Sequence, residues 1–127
     1  MVERIRVWIS KRRPIIIENS KIPVWLSKIA PINIHAFSFA CFVVCRSTMS
    51  ETTKRHEIIH YHQQLEMLFV GQWLAYGIFW LINFARYRDG QKAYYLNPFE
   101  KEAYATQRYV SCLEKRPFWN WLNYVRN

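Results

Sequence analysis

The run Arg55-His56-Glu57-Ile58-Ile59-His60-Tyr61-His62-Gln63-Gln64 holds side chains whose types and spacing suit metal chemistry. His56 and His60 stand four residues apart. On a helix this leaves them about 40° apart in azimuth, one turn above the other. Two imidazole nitrogens placed in this way can bind one tetrahedral Zn²⁺. Glu57 follows the first histidine and projects beside the metal, where a carboxylate can hold and deprotonate water. H-E-x-x-H also arises by accident in helices that bind nothing, so the motif needs a third ligand.

Catalytic zinc sites commonly combine three protein ligands with water. His62 lies six residues from His56, and Glu66 six from His60, so both project away from the His56/His60 face. His35 falls in a β-type run and is expected to be a hydrogen-bonded sheet histidine. A third ligand is then expected from another element. Asn97-Pro98-Phe99-Glu100 is a strong helix start, with Asn at the cap, Pro at the first position and Glu at the third. On that helix Glu100 and Glu102 point about 200° apart, so only one of them can face the metal. Glu100 also has a competing role as the capping-box partner of the Asn97 N–H.

His56-Glu57-x-x-His60, followed forty residues later by Glu100-Lys101-Glu102-Ala103, resembles the gluzincin pattern of zinc metallopeptidases. In that family a Glu on a later helix, within an E-x-E/Q-A motif, completes the site. The resemblance implies Glu100 as third ligand, with Glu102 as the fallback, and Glu57 as general base in peptide hydrolysis. The pattern is also similar to that of integral-membrane zinc proteases, which usually carry Asp after the Ala. Here that position is Tyr104, which can still donate a hydrogen bond. Tyr104, Arg108 and Tyr109 are candidates to stabilise an oxyanion, from position alone. A second resemblance covers most of residues 30–127. It is to small Bacteroidetes proteins with H-E-x-x-H-x-x-Q-Q, an aromatic-apolar run and F-E-x-E-A-Y, here His56 to Gln64 and Phe99 to Tyr104. It carries no activity.

The 127 residues suffice for one domain, 1–127, with a modest core, and 51% hydrophobic content excludes a disordered chain. A net charge of +9 calls for an acidic partner, either anionic lipid or nucleic acid. No nucleic-acid recognition signature is present, and Trp beside apolar runs favours lipid. Cys41, Cys45 and Cys112 form an odd set that fits a reducing compartment, and Cys41 and Cys45 are expected as small buried apolar residues. The N-terminus lacks the apolar core of a signal peptide.

These residues need elements to position them. Val2 to Ile9 lie close to a period of two and read as a strand, followed by the basic run Lys11-Arg12-Arg13. Ile15 to Ile17 read as a second strand, and Pro23 opens a short helix ending before Pro31. Residues 32–45 read as one strand, or two with a kink. Ser50 or Thr52 caps a helix beginning near Thr53. That helix runs directly into 67–85, which are 19 residues without a charge. As one helix, 53–86 would extend roughly 50 Å. The apolar stretch 67–85 meets the length of a transmembrane helix, and spanning, embedded and soluble-core readings compete. Residues 91–96 read as a linker. The Asn97 helix is expected to reach about Glu114, burying Phe99, Ala103, Val110 and Leu113, with Lys115 and Arg116 at its C-terminal end. The tail, 118–126, suits either a headgroup boundary or docking on the core.

The expected fold is α+β. Short antiparallel N-terminal strands precede a long zinc-motif helix running into an apolar segment, and a second helix bears the third ligand, a minimal zincin-like arrangement. The expected function is zinc-dependent hydrolysis of a peptide or protein substrate at a membrane surface, with the cytoplasmic membrane the expected location and anionic lipid the partner. The alternative is a non-catalytic membrane-associated scaffold with a structural or vestigial zinc site.

Overall fold

A computed structural model describes residues 2–29 and 35–125. In chain order the elements are α1 (Val2–Ser10), β1 (Ile15–Ile17), α2 (Ile22–Ile29), β2 (Ala36–Phe39), β3 (Phe42–Cys45), α3 (Glu51–Glu66), α4 (Val70–Tyr87), α5 (Gly90–Tyr95), α6 (Pro98–Thr106), α7 (Cys112–Lys115) and a 3-10 turn, Asn120–Tyr124. The class is α+β, as expected.

The central element is α3. Ser50 starts it by accepting the Thr53 N–H on its side chain. All nine residues from His56 to Gln64 are buried. An amphipathic helix buries one stripe; this segment is enclosed because α1, β2, α4, α6 and α7 all pack on it. Ile58 and Ile59 supply its apolar contacts, meeting Ala103 of α6 and Leu113 of α7.

The sheet has the order β1-β3-β2. β2 and β3 form an antiparallel hairpin across Ala40-Cys41, with Phe39 opposite Phe42 and Ala36 opposite Cys45. A reversal replaces the expected kink, and Ala40 takes φ 53° to make it. The first residues of the expected strand, 32–34, lie outside the described residues. β1 pairs parallel to β3, not antiparallel, because the chain crosses over through α2 before returning. β2 is left at the sheet edge.

Four further expectations are corrected. Residues 2–9 are helical. Val2, Ile5 and Ile9 also satisfy helical spacing, and Arg6 bonds Glu3 one turn away at 2.6 Å and the Glu114 carbonyl at 2.8 Å. The motif helix does not continue into the apolar run. It breaks after Glu66, and α4 departs at 113° to α3. Leu68 and Phe69 make the break with φ of 55° and 62°. Left-handed backbone at a non-glycine residue costs on the order of 1–3 kcal/mol. Gln64 offsets it, its carbonyl accepting the Met67 and Phe69 N–H and its side chain accepting the Trp73 indole. Among the described residues no single helix is long and apolar enough to cross a membrane. Residues 91–96 are helical for the most part, because the Asp89 carboxylate caps α5 through the Gln91 and Lys92 N–H. The Asn97 helix stops at Thr106 rather than Glu114. Val110 is therefore 83% exposed, while Phe99, Ala103 and Leu113 are buried. In the tail, Trp121 docks against Phe99 with ring centroids 4.5 Å apart.

Arg116 does not sit at a solvated helix end. It is buried between two carboxylates, gripping Glu66 of α3 at 2.7 and 2.9 Å and Glu102 of α6 at 2.5 and 3.0 Å. Burial pushes the Glu66 carboxyl up in pKa, and Arg116 opposes this. Removing the one cation that faces both acids among the described residues would strand two charges in the interior. Arg116→Ala is expected to cost about 3–5 kcal/mol in urea unfolding. Arg116→Lys should lose less, since it keeps the charge but not the fork. A loss below about 1 kcal/mol in the alanine variant would show the network to be dispensable.

Candidate metal centre

α3 and α6 cross so that three ligand atoms converge. His56 Nε2 lies 3.0 Å from Glu100 Oε1, His60 Nε2 lies 3.0 Å from the same oxygen, and the two nitrogens are 3.1 Å apart. All three residues are buried. They form a group able to hold a metal ion. Tetrahedral ligands at zinc distance stand roughly 3.3 Å apart, close to this triangle.

The far side of each ligand fixes which atom turns inward. His56 Nδ1 faces Gln107 Oε1 at 2.7 Å, and His60 Nδ1 faces Gln63 Oε1 at 2.8 Å. Both amide oxygens can only accept, so each Nδ1 carries a hydrogen and each Nε2 is left with its lone pair. The Tyr76 hydroxyl donates to Glu100 Oε2 at 2.7 Å, leaving Oε1 for the centre. Three acceptors then face one another, which is tolerable only with a cation or a proton among them. This is the observation that fits a metal to the site.

Electrostatics agree. Burial alone would lower the His60 pKa, but the Glu100 charge and hydrogen bond outweigh it and lift it to about 9. Burial alone would raise Glu100, but the His60 charge and bonds from both histidines hold it well below the usual carboxylate range. Glu57 is raised, chiefly by burial, against the pull of His60 and His56. Its Oε2 is buried and has no hydrogen-bond partner among the described residues.

The centre forms the floor of a cleft of about 840 Å³. One wall is His35 to Phe39, at the open edge of β2; the other is α4 through Gln72, Trp73, Tyr76 and Gly77. Phe39 and Trp73 stack 4.6 Å apart where the walls meet. No family model, curated protein or solved structure matches this chain.

The structure brings His56, His60 and Glu100 together, with Glu57 beside them. Glu100 is not the capping-box partner, since the Asn97 N–H goes to the Tyr94 carbonyl instead. Glu102, the fallback ligand, faces the other way into the Arg116 network. Tyr104 stands in the cleft with its ring 4.4 Å from that of His56. Arg108 and Tyr109 do not reach the cleft; they pack on each other at the surface. His62 bonds the Arg12 carbonyl at 3.0 Å, on the face away from the ligands, and burial pushes its pKa down to about 4. His35 is hydrogen-bonded, 3.2 Å from the Ser47 hydroxyl. Three residues escaped the sequence reading. Gln63 lies at i+3 from His60 and Gln107 at i+7 from Glu100, both helix-face spacings that point to them. Tyr76 lay inside an apolar run and gave no local signal.

Metal binding needs the His60 lone pair, and below about pH 9 that nitrogen carries a proton in the metal-free protein. An incoming metal ion must displace it. At pH 7.5 loading should release close to one proton from His60, read by calorimetry in buffers of different ionisation enthalpy. Apparent affinity should rise about tenfold per pH unit, flattening above the His60 pKa. Affinity that is flat with pH, without proton release, would contradict the protonated triad.

Proposed function

We propose that the protein is a zinc-dependent hydrolase of peptide bonds acting at a membrane surface, on a minimal zincin-like arrangement. The observation that carries the proposal is the unpartnered Glu57 carboxylate oxygen beside three converging ligand atoms on the floor of an open cleft. The donor set, two imidazoles and one carboxylate, suits zinc. Structural zinc sites are closed by four protein ligands; here three meet among the described residues, with the cleft on the remaining side.

Zn²⁺ held by His56, His60 and Glu100 would supply Lewis-acid chemistry, lowering the pKa of water to about 7 and polarising a carbonyl. The chain's own residues do the rest. Glu57 takes the proton of the attacking water and returns it to the leaving amine, and its raised pKa makes it the better proton acceptor. Burial and the Glu100 charge keep the Tyr104 hydroxyl protonated, so it is available to donate to a developing oxyanion. Substrate is aligned by β2. His35 accepts the Arg46 N–H, which sets the ladder phase and turns the N–H and C=O of Ala36 and Ser38 to the open edge. The Ser38 carbonyl there already accepts from Gln64 of α3. An extended peptide pairs with that edge by β-augmentation.

Glu57→Gln should retain one zinc per chain by elemental analysis and lose hydrolysis of a peptide library by about 10²-fold or more. Tyr104→Phe should lower kcat by about 10²-fold with zinc unchanged. Unchanged turnover in Glu57→Gln removes the base assignment. Zinc bound without turnover in the unaltered chain favours a structural centre instead.

A further inference from the structure

α4 has two unlike faces. Gln72, Trp73, Tyr76 and Gly77 line the cleft. The opposite side carries Val70, Leu74, Ile78, Leu81 and Ile82, each between 50% and 63% exposed. Their spacing of three and four residues draws one aliphatic stripe along a helix of 18 residues, about 27 Å at 1.5 Å per residue. Leu68, 82% exposed, extends it at the α3–α4 corner. The stacking of Phe39 on Trp73 brings the hairpin tip, with exposed Phe39 and Phe42, to the same end. Exposed apolar area of this extent marks an interaction surface.

We infer that this face of α4 lies along an anionic lipid bilayer. The inference rests on the membrane-surface reading above and names the surface that carries it. Charge decides the occupant. Cations stand at both ends of the stripe. Arg86 and Arg88 follow it, with Lys92 over the Tyr87 ring at 4.3 Å. At the hairpin end, Lys11-Arg12-Arg13 lead into β1, whose Ile15 N–H bonds the Cys41 carbonyl of the turn at 2.7 Å. Asp89, the acid beside Arg88, is engaged in capping α5. A second copy of the chain would bring another +9 against these ends. Anionic headgroups bring the opposite sign. An interfacial helix buries its apolar face about 5–10 Å into the headgroup boundary and keeps its cations at the phosphates. The cleft lies on the other flank of α4, within about one helix diameter, 10–12 Å, of the lipid. Chains within reach of the cleft are then membrane-proximal peptide segments.

Co-sedimentation of the full chain with vesicles tests this. The vesicles are phosphatidylcholine alone and phosphatidylcholine with one quarter phosphatidylglycerol, at low and high salt. The unaltered chain should bind the anionic vesicles at least tenfold more tightly, less so at high salt. The double variant Leu74→Glu/Leu81→Glu should lose at least tenfold. The charge-matched control Tyr109→Glu/Val110→Glu, on an exposed loop away from the stripe, should stay within twofold. Equal losses in both doubles would reduce the interaction to net charge and overturn the assignment of the face. Undiminished binding by Leu74→Glu/Leu81→Glu would overturn it too, while leaving membrane association standing. No binding of either vesicle by the unaltered chain would remove the membrane reading itself. Self-association abolished by Leu74→Glu/Leu81→Glu, without vesicle binding, would assign the face to a second copy.

Discussion

Three lone-pair atoms, on His56, His60 and Glu100, lie within 3.1 Å of one another in the interior. A buried cluster of acceptors is stable only around a cation, whether proton or metal. Much of the fold is arranged around that demand. Gln107, Gln63 and Tyr76 hold the three ligands from behind, so that none can swing away to a better partner. Gln63 in turn donates to the Phe99 carbonyl at 3.1 Å and to Glu102 at 3.0 Å. Glu102 is gripped by Arg116, which also grips Glu66. The centre and the main buried ion pair are therefore one connected network, with a neutral amide between the Glu102 carboxylate and the His60 imidazole. Where a carboxylate holds a ligating histidine directly, it passes negative charge toward the metal. An interposed amide orients the ring while passing on less charge, so a metal held here keeps more of its Lewis acidity.

This network also explains how so polar a helix can be buried on every side. From His56 to Gln64, α3 presents three histidines, two glutamines and a glutamate, with Ile58, Ile59 and Tyr61 the residues that add apolar body. The apolar clusters around it are small: Ile58, Ile59, Ala103 and Leu113 on one side, Val43, Cys45 and Met49 under the sheet. Buried hydrogen-bonded groups contribute little net stability but strongly penalise misplacement. The register of α3 against α6 is thus set less by packing volume than by the cost of leaving any member of the network unpaired.

What could be read from residues alone divides along the same line. Ser50 and Asn97-Pro98 announce their helix starts because caps are local hydrogen bonds. The separation of Glu100 from Glu102 followed from helix azimuth, and the motif histidines from their spacing. The long-range choices were not legible. Ile5, Val7 and Ile9 fit a period of two while Val2, Ile5 and Ile9 fit the helical one, and the deciding bond, Arg6 to the Glu114 carbonyl, joins residues 108 apart. The end of the Asn97 helix was missed because no glycine or proline marks it before Pro117. The break at Leu68-Phe69 has no punctuating residue of its own either; Gln64, four and five positions upstream, makes it possible.

That break gives the uncharged stretch its role. Had α3 continued straight, Tyr76 would have lain far along the axis from His60, about 24 Å away at 1.5 Å per residue. The turn of 113° brings α4 back across the site instead, so that the Tyr76 hydroxyl reaches Glu100 at 2.7 Å and the Tyr76 carbonyl accepts from Asn97 at 3.0 Å. Apolar residues on such a helix cannot all face inward, because one flank must meet the polar cleft. The aliphatic ones are sorted to the outer flank, and the amphipathic ones, Trp73, Tyr76 and Trp80, to the inner, where each polar tip finds an acceptor. A mean hydropathy taken over 67–85 averages these flanks and reports only that the stretch is apolar. The two-sidedness is visible only once the chain is folded back, and it is what lets one helix both complete a polar centre and carry a bare aliphatic surface.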